Sequence, residues 1–248
     1  MADTTPTFSP GIFEVDLIFP RNETYAPHTL LPVVFALQNP PLAFPVAAWI
    51  SWSLWEGNNL TSPGSITDGV IELALLNLTS TEPLLVTRFI DTIPYPNGFW
   101  TFEWSLQMDM CSAGYGPGQF IDTNSTTVFT ISQSGQAPDL VAATSSDKCG
   151  TMKAYAYNIT AEGESCGYFG PSPTTNPCAV TVNAAAASSV MAAGTALACD
   201  PLESSIYPNV TCPPVSVSSS NVAGQYHMAA APTLLTLLAV VSGLIHLG

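Results

Sequence analysis

The chain has 248 residues and carries 4 Lys and Arg against 18 Asp and Glu, a net charge of −14 at neutral pH. Such a surface repels phosphate backbones, so nucleic acid is excluded as a partner. Charged residues make up only 9% of the chain, so its polar exterior must come mainly from Ser, Thr, Asn and attached sugar.

In chain order, residues 1–11 (MADTTPTFSPG) contain no apolar core of a signal peptide. They read as a disordered start from which a secretory leader is missing. The next stretch, IFEVDLIF, alternates with period two: Phe13, Val15, Leu17 and Phe19 face one way, Glu14 and Asp16 the other. That pattern describes a half-buried strand whose acids meet solvent. LLPVVFALQ follows, with Val33, Phe35 and Leu37 expected in the same core. Further strands are expected over Val46–Gly57, Val70–Thr79, Leu84–Ile93, Phe99–Met110, Thr127–Ser132 and Lys153–Thr160, separated by Pro, Gly and Asn clusters. VIELALLNL, within the Val70–Thr79 stretch, can also be drawn as a helix. The glycine-rich Cys111–Phe120 lacks the Gly-Lys-Ser/Thr ending of a phosphate loop and reads as a long connection. Strands without helical intervals over 12–160 predict a single antiparallel β-sandwich of immunoglobulin-like or jelly-roll type.

Residues 161–213 read as a disulfide-rich extension that contains one alanine-rich helix, Ala184–Ala198, in which Gly194 is the weak point. The six cysteines (Cys111, Cys149, Cys166, Cys178, Cys199, Cys212) form an even set without a CxxC, which favours three disulfides over a metal site. Short closures favour the pairs Cys111–Cys149, Cys166–Cys178 and Cys199–Cys212. Six N-x-S/T triplets open at Asn22, Asn59, Asn77, Asn124, Asn158 and Asn209, the mark of a secreted glycoprotein. Residues 214–228 form a Ser-rich stalk, and 229–248 an apolar tail with no basic residue after it. Small residues, a short polar spacer and such a tail are the signal for a glycosylphosphatidylinositol anchor. The expected attachment residue is Asn221, with Ser218 as runner-up. The chain is therefore expected on the outer face of the plasma membrane or in the cell wall, held to the membrane by lipid.

Three stretches, GIFEVDLIFPRNETYAPHTLLPVVFALQNP, APDLVAATSSDKCG and NPCAVTVNAAAASSV, resemble an uncharacterised family of secreted and surface-anchored proteins from filamentous fungi, a domain of unknown function. The resemblance implies a compartment and a source, and supplies no catalytic residues.

Chemistry is sparse in this sequence. His28, in a loop, is the only histidine upstream of the anchor signal, and no GxSxG occurs, so a Ser-His-Asp arrangement has little to build on. A glycosidase needs only two carboxylates, for which Glu14/Asp16 and Glu103/Asp109 are nominees, both expected on solvated faces. Trp49 and Trp55 fall on one face of their strand and Trp52 on the other, while Trp100, Phe102 and Trp104 share a face in a later strand. An outward Trp49/Trp55 pair would form a platform for sugar rings; core packing is the plainer role for tryptophans. The expectation is a non-catalytic surface glycoprotein that needs no cofactor and recognises, or builds into, cell-wall polysaccharide. The alternative is a wall glycoside hydrolase or transglycosylase.

Overall fold

The computed structural model describes residues 8–61, 64–76, 78–110, 119–161 and 167–213. Within them, ten strands form two five-stranded sheets that stack as a sandwich. The first sheet has the order β10 (Gly167–Phe169), β9 (Lys153–Ala161), β1 (Gly11–Phe19), β3 (Leu31–Gln38), β6 (Leu84–Ile90). The second has the order β2 (Thr24–Tyr25), β8 (Gln119–Ile131), β7 (Gly98–Met110), β4 (Trp49–Glu56), β5 (Thr67–Glu72). Neighbours are antiparallel except β2 and β8.

The core between the sheets is aromatic at its centre. Phe35 of β3 meets Trp104 edge-on at 5.2 Å and Phe102 at 6.4 Å, both from β7. Phe13, Val15, Leu17, Phe19, Val33, Phe35 and Leu37 are all buried in this core, as their alternation predicts. Trp52 completes the far side. It stacks on Phe102 at 5.9 Å and lies over Gly69 of β5, where any side chain would strike the indole.

Glu14 and Asp16 depart from the expectation that they meet water: they are 2% and 0% exposed. The reason is the chain's C-terminal part, which lies over the outer face of the first sheet and buries β1 and β3 on both sides. The short helix α1 (Leu140–Ala143) packs against β1, and α2 (Ala184–Ala198) packs against α1 and β6. Gly194, a weak point for propensity, is where α2 touches the sheet: a Cβ there would sit 2.6 Å from the buried ring of Phe89. Close approach of helix to strand therefore outweighs the propensity cost of roughly 1 kcal/mol. Tyr207 adds a further tie through its hydroxyl, which donates to Phe89 O at 3.0 Å.

Two disulfides hold this cover. Cys149 joins Cys178 and Cys199 joins Cys212. The second is the expected pair; the first replaces Cys111–Cys149 and Cys166–Cys178, because the turn at Cys149–Thr151 and the turn at Pro177–Ala179 are brought together over the sheet. Sequence distance was a poor guide to that closure.

Other strands shift from their expected limits. β5 begins at Thr67 and stops at Glu72, because its partner β4 runs out at Trp49, opposite Glu72. Leu73–Leu75 then form a 3-10 turn, so neither a strand nor a regular helix occupies Val70–Thr79 as a whole. β8 is far longer than Thr127–Ser132 and takes up Gln119 and Phe120 from the glycine-rich stretch. Its polar run escapes a hydrophobic pattern since its partners are polar too: the hydroxyls of Tyr155 and Tyr157 on β9 donate to Asn124 O and Thr123 Oγ1.

The covered carboxyls lie together, and burial favours the protonated form of each. Glu14 accepts the Asn176 N–H at 2.7 and 3.0 Å, and Asp16 Oδ2 accepts from Gln38 Nε2 at 2.9 Å. Asp16 Oδ1 is buried and meets no donor. Burial, and then the neighbouring Asp16, raise the Glu14 pKa from 4.5 to about 8; burial raises Asp16 as well. Between those limits the folded chain keeps a proton that the unfolded chain releases, so stability is full below about pH 4.5 and falls as pH rises to about 8. The slope for one proton is about 1.4 kcal/mol per pH unit. Glu14→Gln should flatten this decline in urea or thermal unfolding and stabilise the protein at pH 8; an unchanged slope would refute the retained proton.

Candidate functional site

The two sheets have unlike outer faces. The first lies under the C-terminal cover; the second presents β4, β7 and β8 with side chains that alternate out of the core. On β4, Ile50, Trp52 and Leu54 point inward, so Trp49, Ser51, Ser53 and Trp55 line the outer face. On β7, Trp100, Phe102 and Trp104 are fully buried, which leaves Phe99, Thr101, Glu103, Ser105, Gln107 and Asp109 for that same face. Trp49 and Trp55 are half-buried and project from it, six residues or about 20 Å apart along the strand. The tryptophans thus divide: three fill the core and two stand outside.

One outward indole has an aromatic neighbour in contact. Trp49 lies 5.6 Å from the ring of Phe120 on β8, itself 54% exposed. Trp55 stands opposite Thr101, diagonal to the exposed Phe99. Between the two ends lies a polar centre. Trp55 Nε1 donates to Ser53 Oγ at 2.8 Å, and Ser53 Oγ donates to Glu103 Oε2 at 3.2 Å. Ser51 and Ser105 share a hydrogen bond of 2.7 Å across the strands. Flat apolar rings that flank hydroxyls and carboxylates suit a ligand with alternating C–H faces and hydroxyl edges.

The other nominees fall elsewhere. Glu103 and Asp109 share this face but are six residues apart on one strand, about 20 Å, well beyond the spacing of a glycosidase pair. Glu14 and Asp16 are sealed beneath the cover. His28 is half-buried, with Nδ1 accepting the Leu30 N–H at 3.0 Å, and its backbone N–H and O pair with Thr92; burial lowers its pKa. It is a turn residue. Asn22, Asn59, Asn124 and Asn209 are exposed and Asn158 is half-buried. Asn124 lies opposite Ser105, so a glycan there would rise from the aromatic face itself. Asn77, Cys111, Cys166, Ser218, Asn221, residues 1–7 and the apolar tail from Ala229 lie outside the described residues. Among the described residues no helix is long and apolar enough to cross a membrane.

Phe99 and Phe120 were not singled out from sequence. Phe99 was readable, because it precedes the inward Trp100 and so must face out. Phe120 was hidden in a stretch that reads as a connection.

These features define a two-sheet β-sandwich with one covered face and one bare, aromatic-flanked face. The chain belongs to the family described as Domain of unknown function (DUF7136), which matches residues 8–212 and so runs across the sandwich and its cover. No curated protein and no solved structure matches it.

If the division of tryptophans is right, acrylamide should quench a fluorescence fraction that disappears in a Trp49→Phe/Trp55→Phe double variant, while Trp100→Phe should leave that fraction intact. Equal quenching of all variants would contradict the outward placement.

Proposed function

We propose that this chain is a surface glycoprotein of a filamentous fungus that binds cell-wall polysaccharide through the outer face of its second sheet, without catalysis. The observation that carries the reading is the projection of Trp49 and Trp55 on either side of a strip of Ser51, Ser53, Glu103 and Ser105. Both indoles are half-buried and lie outside the core, so each keeps part of its ring open to a ligand. Rings stack on the apolar faces of pyranoses, while Ser51, Ser53, Glu103, Ser105 and Gln107 bond sugar hydroxyls between them. Glu103 and Asp109, the carboxylates nominated as a pair, stand about 20 Å apart on this face and do not act together on one glycosidic bond.

Affinity electrophoresis or pull-down on insoluble glucan, chitin and mannan tests this, with enzymatically deglycosylated protein alongside, because of Asn124. Trp49→Ala and Trp55→Ala should each weaken retention about two- to tenfold, the scale of one aromatic contact, with no release of reducing sugar. Undiminished retention in the double variant, or soluble product, would overturn the reading.

We further propose that the apolar tail is exchanged for a lipid anchor at Asn221, or at Ser218, which places the sandwich on the outer leaflet or in the wall. Phosphatidylinositol-specific phospholipase C, or hydrofluoric acid for a wall-linked form, should release the surface protein. Resistance to both, with Leu247 recovered in its peptides, would mean the tail is retained.

A further inference from the structure

Only four residues of the chain are basic, and three of them, Arg21, Lys148 and Lys153, line one cavity of about 590 Å³. They come from three places: the segment after β1, the turn before Cys149 and the start of β9. Thr126–Val128 of β8 close the opposite wall. In a protein of net charge −14 this is an isolated basic spot, and a cavity of this volume is of ligand size.

Arg21 lines the cavity and is 8% exposed. Its Nη2 donates to Lys148 O at 2.9 Å and to Thr151 Oγ1, both neutral acceptors. Among the described residues no carboxylate lies within ion-pairing distance of this guanidinium. The nearby acid, Glu23, is committed to Lys148 Nζ at 2.5 Å and to Gln136 Nε2 at 2.7 Å. A buried cation without a counter-ion is unfavourable, and burial accordingly lowers the Arg21 pKa. With Glu23 and Asp147 also on the cavity wall, three positive charges face two negative ones, a surplus of one.

We propose that this cavity binds the carboxylate of a small monoanionic ligand, of the size of one or two sugar rings, such as a hexuronic acid. The planar guanidinium fork matches a carboxylate. A single surplus charge suits one carboxylate better than a dianionic phosphate, which Glu23 and Asp147 would repel. Lys153, exposed at the rim, draws the anion in. The cavity borders the aromatic face at Thr126, opposite Glu103, but contains neither Trp49 nor Trp55, so variants of those two residues separate the two readings.

Isothermal titration of the deglycosylated chain at low salt tests it, the sugar at Asn22 being removed because that residue also lines the cavity. Sodium glucuronate should bind saturably, and its methyl ester and glucose should not. Lys153→Gln should weaken binding roughly two- to fivefold, Lys153→Glu further, and Arg21→Gln more than tenfold, while Trp49→Ala/Trp55→Ala binds as wild type. The Lys153 variants, altered at an exposed position, keep the test valid if Arg21→Gln fails to fold. No saturable binding, equal binding of the ester, displacement by sulfate or phosphate at lower concentration than glucuronate, or wild-type affinity in both Lys153 variants would each overturn the proposal.

Discussion

The Asn176 N–H bound to the Glu14 carboxyl joins positions 162 residues apart, and the rest of the architecture depends on the closure it represents. Once the C-terminal segment lies on the first sheet, β1 and β3 lose contact with water on both sides. Two carboxyls are then trapped where a retained proton and a few neutral donors hold them. Desolvating acids is unfavourable by itself, so the cover must be held by other means. Packing of α2 on Phe89, the Tyr207 bond and two disulfides do that. The cost at Glu14 is local; the gain in apolar burial is spread over the whole sheet.

That closure also decides which surface is open to a partner. A sandwich has two outer faces, and here one is occupied by the chain itself. The second sheet is left bare, with the Trp49–Phe120 pair at one end of a hydroxyl strip and Trp55 at the other. The basic cavity opens at the side, where β8 has only the two-residue β2 beyond it and Arg21, Lys148 and Lys153 reach across from the first sheet. Face and cavity thus follow from the same asymmetry of cover.

How much of this was legible depended on the range of the interactions. The inward set from Phe13 to Leu37 and the placing of Trp49 and Trp55 on one face follow from alternation within single strands, and the alanine-rich helix follows from propensity; all are local, whereas which face of β4 turns outward is decided by the other sheet. Glu14 and Asp16 misled because what buries them lies at the other end of the chain. β8 was shortened because its inner face is satisfied by tyrosine hydroxyls, which no apolar period records. Gly194 looked like a defect until Phe89 was placed against it. Cys149–Cys178 spans the antiparallel strands β9 and β10, so spacing favoured nearer partners. The gathering of Arg21 with Lys148, 127 residues away, was equally invisible.

The two disulfides have a mechanical meaning. A pull applied at the C-terminal end of the described chain enters at Cys212 and passes across the sulfur bridge to Cys199, so the loop between them carries no load. It runs back along α2 to Cys178 and crosses to Cys149, which leaves β9 and β10 inside an unstressed loop. Tension therefore reaches the sandwich through the turn beside α1, and the two strands at the edge of the first sheet are shielded from being peeled away one residue at a time.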